Sequence, residues 1–167
     1  AQYIADQDGA NLEDALQAAQ LAQSHVGLAR ALLRDPDLRR RRRAMLDLFL
    51  SADSVPSAIL AAGEVLDAAK KRTDERTSDV NAKEKKDFAE SLGLDSTERI
   101  PKAFAARLKA LEEDQKRRAK RALTDTLDQA LVDLLGFYRD VLVRQHEAST
   151  DLVHVDLKEK TLLYAHH

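Results

Sequence analysis

The chain has 167 residues, 34% of them charged and 4% aromatic, with no cysteine, no tryptophan and a formal net charge of -2. No cysteine means no disulfide, no thiolate nucleophile and no cysteine-type zinc site, and the near-neutral balance confines any nucleic-acid contact to local patches. Abundant Ala, Leu, Arg, Glu, Lys and Asp with few, scattered strand formers predict an all-α protein, a helical bundle that is partly elongated.

Residues 1–10 read as an irregular lead-in ending at Gly9. Asn11 is a suitable helix cap, with Asp14 as an acidic neighbour in the first turn. Leu12, Leu16, Ala19, Ala22, Val26, Ala29 and Leu33 then mark one helix face reaching Leu33 or Arg34, with Gly27 inside the helix. Asp35 followed by Pro36 signals a second helix start, which fades at Ser51 to Asp53. Ser54 and Pro56 repeat that signal. The third helix is apolar at Val55, Ile59, Leu60, Val65 and Leu66, then almost wholly polar from Ala69 to Lys86. Gly93 suits the position just past its end, and the LDSTER segment, 94–99, forms a loop to Pro101.

The longest helical pattern runs from Ile100 to Gln145 and changes character halfway. Its first half carries a thin apolar line at Phe104, Leu108 and Leu111. Its second half carries Leu123, Leu127, Leu131, Leu134, Tyr138 and Val141, widened by Ala130, Leu135, Phe137 and Leu142. Nothing forces a stop before about Gln145, so the helix would span roughly 60 to 70 Å if continuous. Two charged segments joined by a short loop predict a long antiparallel helical hairpin, about 70–120, with 70–92 against 101–120. Beyond Gln145, Ser149 to Asp151 is polar, Leu152 to Leu157 reads as short and extended, and 158–167 starts one more helix. No apolar run approaches the length of a membrane span and no signal peptide is present, so a cytoplasmic protein without membrane contact is expected.

Chemistry-bearing patterns are sparse. The five histidines lack metal-ligand spacing, there is no phosphate-cradling glycine motif, and the carboxylates fall on solvent faces. No metal, no cofactor and no catalytic residue is expected, and the chain is not expected to be an enzyme. Arg39 to Arg43 cannot share one helix face at 100° per residue, but Arg39, Arg42 and Arg43 can share a side. They are candidates for phosphate or DNA contact, as are Lys116, Arg117 and Lys120 in a second cluster. Asp35, Asp37 and Asp47 bracket the first cluster, and Glu112, Glu113 and Asp114 precede the second, so a self-neutralised surface is the favoured account of both.

The segment 131–144 stands apart. Leu131, Leu134, Leu135, Phe137, Tyr138, Val141 and Leu142 are expected in a core or a subunit interface. Arg139, Asp140 and Arg144 are expected as its polar rim, the Arg139–Asp140 pair tolerating burial only if partnered.

Asp128 to Leu142, with the core Ala130-Leu131, Leu134, Phe137-Tyr138-Arg139-Asp140-Val141-Leu142, resembles the "ALxxLxxFYRDVL" helix of the delta-prime subunit of bacterial DNA polymerase III, actinobacterial type. Leu152 to Asp156 is similar to the segment that follows that helix in the family. Ala22 to Leu32 resembles the glycine-containing helix that closes the lid of an AAA+ module. Leu28 stands where ATP-binding relatives commonly carry a sensor arginine, which suits a subunit that does not bind nucleotide. The resemblance implies that 1–34 is the end of a lid-like segment and 35–167 a helical C-terminal collar domain. Upstream would lie a nucleotide-binding-like module, and further helices would follow the segment at 152–156. It implies a non-catalytic assembly role in a clamp loader, as a rigid stator. The partners would be the gamma/tau and delta subunits and, indirectly, the sliding clamp and primer-template DNA. The charged hairpin at 70–120 looks lineage-specific. Two other readings remain open, a basic helical nucleic-acid-binding protein and a free-standing coiled-coil scaffold.

Overall fold

A computed structural model describes residues 1–23, 25–94 and 100–166. Among the described residues the secondary structure is helical throughout, with no strand. In chain order the helices are α1 (Gln2–Asp8), α2 (Leu12–Leu21), α3 (Val26–Arg34), α4 (Pro36–Leu50), α5 (Val55–Glu90), α6 (Ala105–Gln145) and α7 (Lys158–Ala165). Short 3-10 turns at Lys102–Phe104 and Val155–Leu157 precede α6 and α7. The chain forms two compact units, one from residues 1–61 with 129–167 and the other from residues 62–128.

Local chemistry sets most of the helix starts. The Asn11 side chain accepts from Asp14 N at 2.7 Å, and Asp35 accepts from Leu38 N at 3.0 Å with Pro36 at the first helical position. Ser54 N donates to Ser57 Oγ at 2.9 Å while Ser57 N donates back to Ser54 Oγ at 3.4 Å, a reciprocal cap at the start of α5. At the far end of α5, Gly93 takes a left-handed conformation (φ 72°). Its N–H reaches Glu90 O at 2.9 Å and Leu94 N reaches Ala89 O at 3.1 Å, the paired bonds of a Schellman stop. The rest of the expected loop, 95–99, lies outside the described residues, as do Ser24 and His167.

Four sequence expectations change in the first unit. Residues 2–8 are helical rather than irregular, because Ile4 and Ala5 are buried in a common core with α2 and α3. The helix expected from Leu12 to Arg34 breaks in two: Gln23 turns left-handed (φ 47°), and the His25 ring nitrogen caps α3 by accepting from Leu28 N at 3.1 Å. The buried face is also shifted. Ala15, Ala18, Ala22, Ala29 and Leu32 form it, while Leu12, Leu16 and Val26 are exposed. Alanines let three short helices approach closely: of the expected face Ala22 and Ala29 are buried and Ala19 and Leu33 pack against the same core, while the larger Leu12, Leu16 and Val26 stay outside it. Finally, the stretch expected as extended from Leu152 to Leu157 gives way at its end to a 3-10 turn. It turns through Val155–Leu157 and buries His154 and Leu157.

A second core in this unit gathers Leu46 of α4, Phe137 and Val141 of α6 and Leu157, with Leu50, Leu134, Tyr164 and Ala165 packed around them. Phe137 is wholly enclosed and meets the Tyr164 ring edge-on at 5.3 Å. The Tyr164 hydroxyl donates to Leu50 O at 2.9 Å.

The unit 62–128 is the expected charged antiparallel hairpin. α5 buries Val65, Ala69 and Thr73 at four-residue spacing, small enough for close helix approach, and α6 buries Gln115. Gln115 Nε2 donates to Asn81 O at 3.1 Å and to Glu84 at 3.0 Å. Lys85 reaches Glu112 at 3.0 Å, and Arg118 forks onto Glu84 at 2.8 and 2.7 Å. The Glu84–Arg118, Glu84–Gln115 and Lys85–Glu112 pairs, whose partners on α6 fall in number as α5 advances, fit the antiparallel register. The Arg118 fork, then Gln115, hold the Glu84 carboxyl below its ordinary pKa.

Candidate assembly surface

In residues 129–145, α6 has two opposed faces. At 100° per residue, Leu131, Leu135, Tyr138 and Leu142 fall within an arc of about 60°, and they extend along about 16 Å of helix. They are 49%, 69%, 47% and 53% exposed, and Val132 beside them is 41% exposed. Ala130, Asp133, Phe137, Asp140 and Val141 occupy the other side and are buried. The expected core or interface set therefore divides. Phe137 and Val141 belong to the core with Leu134 packed against it, whereas Leu131, Leu135, Tyr138 and Leu142 form an uncovered ridge with the 4-3-4 spacing of a helix-pairing seam.

The expected polar rim divides too. Asp140 is not at a rim: its side chain is 0% exposed. It accepts from Val153 N at 3.0 Å, His154 N at 2.7 Å and Arg139 Nη1 at 2.8 Å. The burial is possible because the carboxylate receives two backbone donors and a guanidinium, which replace the water it loses. Arg139 also donates to Asp151 O at 2.7 Å and stays 40% exposed, and Arg144 Nε donates to Thr161 Oγ1 at 3.3 Å. All three residues fasten the 150–165 segment onto α6.

Two turns before Asp140, Asp133 pairs with Arg42 of α4. Arg42 Nε donates to Asp133 Oδ2 at 2.8 Å, Arg42 Nη2 donates to Asp133 Oδ1, and both side chains are over nine-tenths buried. Gln129 adds a donor at 3.2 Å, and the His154 ring Nε2 lies 3.0 Å from Asp133 O. Gly136 makes room for that ring, since a Cβ there would sit 3.0 Å from His154 Nε2. Neither Asp133, Gly136 nor His154 was conspicuous in the sequence. The available signal was Asp133 and Asp140 at i and i+7 around Gly136-Phe137, on the face opposite the leucines.

The basic candidates are placed as follows. Arg42 is buried on Asp133, so it is not available to a DNA backbone. Arg43 reaches Asp47 at 3.0 Å and Asp156 at 2.8 Å. Lys116 reaches Glu113 at 3.0 Å, and Arg117 pairs with Asp114. Arg39 is half-buried and Lys120 exposed; neither side chain has an ion-pair or hydrogen-bond partner among the described residues. Arg39, Arg42 and Arg43 belong to the first unit, and Lys116, Arg117 and Lys120 to the second.

Among the described residues no group of three His, Asp or Glu side chains is placed to hold a metal ion, and no helix is long and apolar enough to cross a membrane. Comparison with protein-family models, curated proteins and solved structures gave no match for this chain.

Proposed function

We propose that this chain is a non-catalytic helical assembly module, the collar region of a clamp-loader subunit of the delta-prime type. In that role it holds the gamma/tau and delta subunits in place while the sliding clamp is loaded onto primer-template DNA in the cytoplasm. The observation that carries the proposal is the uncovered ridge of Leu131, Leu135, Tyr138 and Leu142 on a helix whose opposite face is locked into a core. Four large apolar side chains in helix-pairing register are poorly accounted for by solvent contact alone, and a partner helix laid along them would bury them. The ridge lies within the stretch that resembles the delta-prime helix, so residue pattern and geometry support the same surface.

Size-exclusion chromatography with light scattering tests this. The chain is run alone and then mixed with delta and gamma/tau subunits. A mixed complex is expected with the wild-type ridge and is lost with the double substitution Leu135→Asp and Leu142→Asp. A stable self-dimer with no mixed complex would support the free-standing scaffold instead.

A further inference from the structure

The apolar ridge on α6 reads the same from either end. Leu131, Leu135, Tyr138 and Leu142 follow one another at steps of four, three and four residues, a palindrome centred between Leu135 and Tyr138. A second copy of α6 laid antiparallel across that centre sets Leu131 opposite Leu142 of the second copy and Leu135 opposite its Tyr138, with the same pairs repeated by the two-fold axis. Between residues 129 and 145 no charged side chain falls in the arc of these four, so no like charges are brought face to face. Val132 and Arg139 flank the arc on one side, and the same operation brings each beside the other across the pair. The Arg139 charge stays on Asp140, which leaves its aliphatic stem to cover Val132 of the second copy.

We propose that the free chain covers this ridge with a second copy of itself, as an antiparallel two-fold pair of α6 helices. A parallel pair would stack Tyr138 on Tyr138 and Leu135 on Leu135, an uneven seam. The antiparallel pair gives every layer one partner from each half of the ridge and opposes the two helix dipoles. From the exposed fractions of the four ridge residues and Val132, the pair removes roughly 1,000 Å² from water across both copies, at the lower bound for a specific interface. It is therefore a weak pair, with a Kd of about 1 to 100 μM. The inference rests on the same ridge as the assembly reading and adds to it that a partner subunit must displace the second copy, so capture of the partner weakens as the chain is concentrated.

Sedimentation equilibrium of the whole chain between about 1 and 500 μM tests the pairing, and a spin label tests its direction. A monomer–dimer equilibrium is expected for wild type, and a monomer throughout for Leu135→Asp with Leu142→Asp. The chain has no cysteine, so His146→Cys, at an exposed position just past the ridge, carries a single label. In the antiparallel pair the two labels lie about 30 Å apart along the helices, whereas a parallel pair brings them within about 15 Å. This readout leaves the ridge itself unaltered. The proposal is overturned by a monomer at every concentration, by a dimer that survives the double substitution, or by the short label distance. The assembly reading fails separately. A monomeric chain that still forms the mixed complex with delta and gamma/tau subunits sinks the self-pair alone. An antiparallel dimer that forms no mixed complex sinks only the clamp-loader role.

Discussion

Asp140 and Asp8 are both carboxylates enclosed by donors, and each fastens a segment too short to stand alone. Asp140 holds the backbone N–H groups of Val153 and His154, so the chain after α6 is tied by two charge-assisted hydrogen bonds. Asp140→Ala strands both donors and is expected to cost about 3 kcal/mol, whereas Arg139→Ala, on a side chain 40% exposed, is expected to cost about 1 kcal/mol or less. Thermal melts of the two variants check the ranking, and amide exchange at Val153 and His154 should quicken first in Asp140→Ala. Equal melting temperatures for the two variants would refute it. Asp8 performs the same service for α1, taking a bidentate fork from Arg30 at 3.0 Å and a further bond from Arg34 Nε at 3.0 Å. The Arg30 hydrogen bond, then that of Arg34, outweigh burial and hold its carboxyl down to about 2, against an ordinary 3.8. The folded pKa is the lower one, so the stabilisation is complete above 3.8 and drains away as the pH falls towards about 2. Denaturation curves between pH 5 and pH 2 should therefore be steeper in pH for wild type than for Asp8→Asn, and parallel curves would dismiss the fork as a stabilising contact.

Besides the apolar core of Leu46, Phe137 and Val141, α4 and α6 are joined by the buried pair of Arg42 and Asp133, residues 91 apart in sequence. Removing one partner leaves an uncompensated buried charge, so Arg42→Met is expected to cost about 3 to 5 kcal/mol. Replacing both, Arg42→Met with Asp133→Leu, should recover most of that loss, because the pair's own desolvation disappears with it. Chemical denaturation of the two single variants and the double gives the coupling, and additive losses would mean that the two side chains act separately. This pair also marks where sequence reading stops. Caps at Asn11, Asp35 and Ser54, the glycine stop at Gly93 and the end of α6 at Gln145 were legible because each depends on chemistry within a few residues, and the antiparallel hairpin was legible from two long charged segments on either side of a short loop. The short α1 and the break at Gln23 were not, since both exist through packing of alanine faces that only the tertiary arrangement selects. Arg42 looked like one of five surface arginines, and Asp140 like half of a rim charge pair that could be buried only with a partner. Their burial depends on partners 91 and 13–14 positions away, which no local pattern encodes.

For the molecule as a whole, the two faces of α6 have different fates, and substitutions can separate them. The inner face is committed to Phe137, Val141 and the carboxylate network. The outer face holds Leu131, Leu135, Tyr138 and Leu142, and nothing in the chain's described residues covers it. Because Leu135 and Leu142 are 69% and 53% exposed, converting both to Asp removes little folded-state packing. It should shift stability by about 1 kcal/mol or less, mostly through the weaker helix propensity of Asp. Association through the ridge would respond differently, since two charges would then be buried in an apolar contact. Complex formation with partner subunits should be abolished while the circular dichroism spectrum and melting temperature are preserved. Salt separates this mechanism from one based on the arginines. An apolar contact persists between 50 and 200 mM salt, whereas binding through several phosphate contacts falls by orders of magnitude over that range. A complex that survives the double substitution, or one that dissolves between those salt concentrations, would move the interaction away from α6 and onto the charged surfaces.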